Sequence, residues 1–216
     1  MGDSKHANER RPKPIVDLAA LVEKYRRCYL PGLQATLASC RPPSPLASVI
    51  KAACVMTPGA RKHSHQYRIP RDVLHTVGEG LLERQRQLRG CGSFEELLDT
   101  VEGAGSKGFG RLAVYDTALR IGACIGQLPK RVYLHAGTRK GCETLLGREA
   151  TRGNMSLSKE DFPDEVQTLE PHEIEDFMCI FKDDFTGAPQ SAKKASRPCC
   201  TDDATLEGER REKRRC

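Results

Sequence analysis

An all-α fold, a compact multi-helix domain, is what this sequence predicts, and three observations predict it. Apolar residues recur at helical spacing in one segment after another. No segment alternates apolar and polar residues as a half-buried strand does, and prolines and glycines fall between the periodic stretches. At 216 residues the chain suits one core of ordinary size with tails. The domain is expected over residues 15–185. A basic arm at 1–14 and a charged tail at 186–216 hold too few apolar residues to bury a core, so both are expected to be disordered.

Each element follows from a local signal. Residues 15–30 carry apolar side chains at 18, 21, 22, 25 and 29, a helical repeat that Pro31-Gly32 stops. A second helix is expected over 33–39, before the breaker Arg41-Pro42-Pro43-Ser44-Pro45. Ser44 as cap and Pro45 in the first turn open a third helix through Met56. Residues 57–70 form a long basic, histidine-bearing connection, and 71–88 return to helix. Ser93 with Glu96 three residues on has the capping-box spacing, and that helix ends near Gly103. After a glycine turn, 112–125 form the next helix, Pro129 breaks the chain, and 134–146 and 171–185 are helical with a polar connection at 148–158. In the last helix Ile174, Phe177, Met178, Phe181 and Phe185 share one stripe, with the acids expected outward on the other face.

Charge is unevenly placed. The chain carries a formal +6, and residues 107–140 alone hold seven basic residues against one acid, Asp116. From 159 to 184 the balance reverses, with ten acids against two lysines. A basic centre points to an anionic partner. No stretch reaches the roughly 18 apolar residues of a membrane span, so no membrane partner is expected. The ten cysteines form no C-x-x-C pair, and Cys54, Cys124, Cys142 and Cys179 lie in apolar stretches, where reduced thiols behave as small hydrophobes. These features read as a soluble, intracellular, cytoplasmic protein.

The basic centre begins at Gly105-Ser-Lys-Gly-Phe-Gly-Arg111. Glycines at 108 and 110 free the backbone to turn and to approach a ligand, and the following helix presents unpaired amides at its positive end. Lys107 and Arg111 flank the turn around Phe109, and Lys130, Arg131, Arg139 and Lys140 extend the field as a polyanion requires. A plain helical corner with a solvated basic face has the same pattern. The concentration of charge is what favours the anion. Lys62, Tyr67 and Arg68 in the 57–70 connection add a second phosphate-contacting loop, with Tyr67 able to stack on a base.

Leu97-Leu98, Val101, then Gly108-Phe109-Gly110 and a helix resemble the helix-hairpin-helix element of DNA-repair and DNA-binding proteins, whose hairpin backbone holds a DNA phosphate. Residues 94–146 also resemble the DNA glycosylase branch, because Pro129 and then Val132-Tyr133-Leu134-His135 are similar to that family's Val-Asp-x-His stretch. This chain departs at Leu112, where lyase-type members carry a lysine, and at Tyr133, where the family carries its catalytic aspartate. The interval from hairpin to Val132 is also a few residues long. The resemblance therefore implies the DNA grip, with Gly108 and Gly110 on phosphate, and not the base-excision chemistry.

Other constellations are weaker. Asp116 and Arg120 stand one turn apart, the spacing of a structural ion pair, and Asp116, Tyr133 and His135 are the best candidates should the chain be an enzyme. His63, His65 and His75 with Cys54 or Cys91 lack zinc-ligand spacing, so no metal is expected, and no cofactor fingerprint is present. The expected function is nucleic-acid binding, DNA ahead of RNA. The alternatives are an enzyme acting on nucleic acid, glycosylase- or nuclease-like, and a module binding a protein partner through the acidic helix at 171–185.

Overall fold

Asp17 starts the first helix, α1 (Leu18–Cys28), by accepting the Ala20 amide, and Arg26 and Arg27 sit in its last turn, where the helix dipole favours cations. The computed structural model describes residues 16–186. The expected arm at 1–14 and nearly all of the tail at 186–216 lie outside the described residues. Helix α2 (Leu30–Cys40) takes Pro31 and Gly32 into its first turn, so the expected break is a junction. A proline there sacrifices only an amide that has no intrahelical partner.

Helix α3 (Leu46–Ala53) has Pro45 at its cap position, and the Ser44 hydroxyl donates to the Ser39 carbonyl instead. The helix expected over 71–88 is two, α4 (Arg71–Glu83) and α5 (Gln85–Gly90), jointed at Arg84. Helix α6 (Phe94–Gly103) starts as expected, with the Ser93 hydroxyl accepting the Glu96 amide. The Glu96 carboxylate reaches past the cap to the Gly92 amide, at 2.8 Å. The remaining helices are α7 (Arg111–Ile125), α8 (Ala136–Leu146), α9 (Arg148–Thr151) and α10 (Pro171–Ile180).

These ten α-helices among the described residues make a mostly helical, compact domain. One expectation is corrected, since strands do occur: β1 (Val132–Tyr133) pairs antiparallel with β2 (Ser156–Leu157). Two residues are too few to show an alternating pattern in sequence. No helix among the described residues is long and apolar enough to cross a membrane.

The core has two parts. One gathers α2 to α7 around Leu46, Ile50, Leu74, Leu97, Tyr115 and Ile121. The other gathers α1, α8, α10 and the strands around Tyr25, Val132, Phe162, Ile174, Phe177 and Phe181. Helix α7 is buried nearly all round, as the residues from Ala113 to Tyr115 and from Ile121 to Cys124 attest, because α2, α3 and α6 pack against it. The thiols of Cys40, Cys54, Cys91, Cys124, Cys142 and Cys179 are free, and all but Cys179 are buried.

The helix expected over 171–185 ends at Ile180, and the stripe that starts on α10 with Ile174, Phe177 and Met178 runs on past its end to Phe181 and Phe185, all of it buried. Its acids correct the sequence reading. Glu173 and Glu175 are buried and Asp176 is half-buried, so the expected solvent face of Glu173, Glu175 and Asp176 faces protein. Helix α8 packs on α10 so closely that a Cβ at Gly141 would collide with the Met178 carbonyl, and one at Gly137 with the Cys179 sulfur.

Candidate functional site

The turn between α6 and α7 is built to expose backbone. Gly108 sits at φ +100°, which L side chains rarely adopt, while Gly110 has φ −78° and open space where a Cβ would stand. Gly108 is therefore required by the turn, and Gly110 only keeps its surroundings clear. Lys107, Gly108, Gly110 and Arg111 are exposed, and Phe109 is buried and anchors the turn in the core. No side chain caps α7, whose first intrahelical bond runs from the Val114 amide to the Gly110 carbonyl at 3.1 Å. The amides of Arg111, Leu112 and Ala113 precede it, at the positive end of the helix.

The short sheet gathers two guanidinium groups at this end. The Leu134 amide bonds the Met155 carbonyl at 2.9 Å, which brings the 155–156 segment across. Arg111 then lies 3.3 Å from the Met155 sulfur, and Arg131 donates to the Ser156 hydroxyl at 2.8 Å. Lys130 is exposed beside Arg131.

The other predicted cations are partly committed. Arg139 donates to the Thr151 and Asn154 carbonyls at 2.8 and 2.6 Å and clamps that turn. Lys140 pairs with Asp183 at 2.6 Å, and the Lys62 ammonium donates to the Ile69 carbonyl. Tyr67 is 71% exposed and Arg68 is exposed, on the loop that carries His65. That loop is tied down by Gln66, fully buried, whose amide donates to the Ala53 carbonyl at 2.6 Å.

A cleft of about 510 Å³ opens between these pieces, lined by His65 and Ile69 of the loop, Gly110 and Arg111 of α7, and Leu134 and His135 before α8. His65 Nδ1 donates to Asp116 Oδ2 at 2.8 Å, and that hydrogen bond holds the imidazole above the usual histidine range. The expected Asp116–Arg120 ion pair is thereby corrected: the carboxylate takes His65, and Arg120 donates to the Asp116 backbone carbonyl at 3.1 Å. His135 packs on the buried Tyr115 ring, centroids 4.6 Å apart, and its Nε2 is buried without a hydrogen-bond partner among the described residues. Burial pushes its pKa down to about 4, so the ring is neutral at pH 7.

Two carboxyls, the buried Glu175 and the half-buried Asp176, stand behind this pair of imidazoles. Glu175 accepts the Thr138 hydroxyl at 2.6 Å, and burial pushes its pKa up to about 8. Asp176 accepts the Tyr25 hydroxyl at 3.1 Å and is likewise raised by burial. Tyr133 stays outside the cleft lining. Its hydroxyl donates to Glu95 at 2.6 Å, and its ring packs on Phe94 and Tyr115, so it ties β1 to α6. Among the described residues no group of His, Cys, Asp and Glu is placed to hold a metal ion.

Of the three chemical candidates, the fold thus joins Asp116 and His135 to one neighbourhood and uses Tyr133 as a brace. Sequence reasoning missed the pairing of His65 with Asp116, 51 residues apart, because nothing local announces it. It also missed Glu175, whose one signal is its place one turn from Pro171 and Met178 on the flank of the apolar stripe. No protein-family model, curated protein or solved structure matches the chain.

Proposed function

We propose that this protein binds nucleic acid by its backbone phosphates, duplex DNA ahead of RNA, with α6, the 104–110 turn and α7 acting as a helix-hairpin-helix element. One observation carries the reading: the exposed turn delivers the uncapped start of α7 between Lys107 and Arg111, with Arg131 alongside. Orphan amides at a positive helix end donate to a phosphate oxygen, and flanking guanidinium and ammonium groups add charge-assisted bonds. These contacts ignore base identity, so affinity follows charge and salt rather than sequence.

The test is a salt-titrated binding series with random duplex DNA, single-stranded DNA, duplex RNA and single-stranded RNA. Binding to duplex DNA that weakens linearly in log–log salt is the expected result. A salt-independent complex, or none at low salt, overturns the reading. A second reading, an enzyme acting on nucleic acid, is favoured by the position of Asp116, through His65, and of His135 at the cleft. Strand or base cleavage by the purified protein, lost in Asp116→Asn, is its test.

A further inference from the structure

The cleft has features that a grip on internal phosphates does not use. Among the described residues the large apolar side chains left exposed are Tyr67 and Met155, at 71% and 52%. Both neighbour residues that line it. Tyr67 lies on the loop between the lining residues His65 and Ile69, and Met155 touches Arg111 through its sulfur and Leu134 through its carbonyl. An exposed aromatic ring on the loop of a basic cleft suits a ligand with a planar apolar face as well as negative charge. Deeper in, the His135 Nε2 is a buried polar atom with no partner, a state that is rare in folded proteins and is relieved by a ligand that hydrogen-bonds it.

We propose that this cleft holds a nucleotide bearing a terminal phosphate monoester, with Arg111, His65 and His135 on the phosphate and Tyr67 and Met155 against the base. The inference rests on the nucleic-acid reading above and names the part of the ligand that the cleft selects. Donor count separates a monoester from an internal diester. A monoester offers three terminal oxygens and close to two negative charges at pH 7, and three nitrogen-bearing side chains line this cleft. An internal diester offers one charge and must continue as chain on both sides, whereas here the half-buried His135, packed on the buried Tyr115, closes the interior.

The surrounding charges permit an anion. Asp116 is bonded to His65, so its charge is spent on that imidazole. Glu175, behind on α10, is neutral below about pH 8, and Asp176 is engaged by Tyr25. The shared chemistry, a nucleoside phosphate monoester, has two sources: the phosphorylated end of a strand and a free nucleotide.

The test measures anisotropy of a short single strand, labelled at one end and carrying phosphate or hydroxyl at the other, with the phosphate placed 5′ or 3′ in separate series. The phosphorylated end is expected to bind roughly tenfold more tightly, the effect of one charge-assisted contact set. His135→Phe and Tyr67→Ala should abolish that advantage, while Lys107→Ala should weaken both strands alike. Tyr67 is exposed, so the test survives even if the buried histidine variant misfolds. A nucleoside monophosphate that competes as well as the strand end supports the site with the free nucleotide as its source. Inorganic phosphate competing equally well overturns the role given to the base. Equal affinity for both ends, with salt-dependent binding intact, overturns the proposal and leaves the nucleic-acid reading standing. Absence of binding to either strand overturns the proposal alone if duplex DNA still binds, and both readings if duplex DNA does not bind either.

Discussion

Replacing Glu175 with glutamine should flatten the pH dependence of stability above pH 6. The carboxyl is buried against Thr138, and burial carries its pKa up to about 8, with the Thr138 hydrogen bond pulling the other way and Asp176 and Asp116 adding to the rise. In the unfolded chain a glutamate releases its proton near pH 4.3. Between these values the folded chain keeps a proton that the unfolded chain has lost, so stability present at low pH is lost as pH rises. The slope is about 1.4 kcal/mol per pH unit for one proton. From pH 6 to pH 8 the loss through Glu175 is therefore about 2 kcal/mol, the curve levelling as pH reaches the folded pKa. Asp176 and His65 are also raised and add in the same direction. His135, pushed down to about 4, contributes on the other limb, where stability is lost as pH falls from 6.5. The substituted amide keeps an oxygen for Thr138 and removes the ionisable group. Urea unfolding followed by circular dichroism at pH 6, 7 and 8 measures the difference. The parent should lose about 2 kcal/mol more than Glu175→Gln over that range, and parallel profiles for the two proteins would refute the buried, protonated carboxyl.

The two hairpin glycines should separate. Gly108→Val, at φ +100°, should lower the unfolding midpoint as well as nucleic-acid affinity, whereas Gly110→Val has room to fold and should lose affinity alone, as thermal melts beside binding curves would show. Lys107→Ala combined with Arg111→Ala should weaken binding to all duplex sequences alike and reduce the log–log salt slope by up to about two. An effect confined to one sequence would make these residues readers of bases. Tyr133→Phe removes the 2.6 Å bond to Glu95 and should lower stability by about 1 kcal/mol while leaving nucleic-acid affinity unchanged. A binding defect in that variant would place the hydroxyl at the ligand.

Helical periodicity makes most of the fold legible in the chain itself. The apolar stripe on α10 and the Ser93 cap on α6 come from local patterns, and both are local facts of the chain. The direction of the acids on α10 is not legible. A helix flank that meets a second element reads as polar in sequence until the facing Thr138 and Tyr25 are known, and those partners lie 37 and 151 residues away. The same limit hides the His65–Asp116 pair. The turn before α7, by contrast, is local, and its glycines, its uncapped helix start and its flanking cations can all be read from seven consecutive residues. The division of labour among the cations is invisible there, because Arg139 and Lys140, engaged in the fold, look no different in sequence from the exposed Lys107 and Lys130.

The missing side chains at Gly137 and Gly141 also govern how the cleft can move. With the backbone of α8 seated directly on α10, the two helices fit as one closely packed unit, so the wall that carries His135 is backed by the helix that carries Glu175. The opposite wall is the loop around His65, held by the buried Gln66 and by the bond to Asp116. The cleft is thus a vice with one fixed jaw and one tethered jaw. On the loop side the bond between His65 and Asp116 is the tether at the cleft itself, and a ligand that competes for His65 would loosen the same contact that shapes the space it enters.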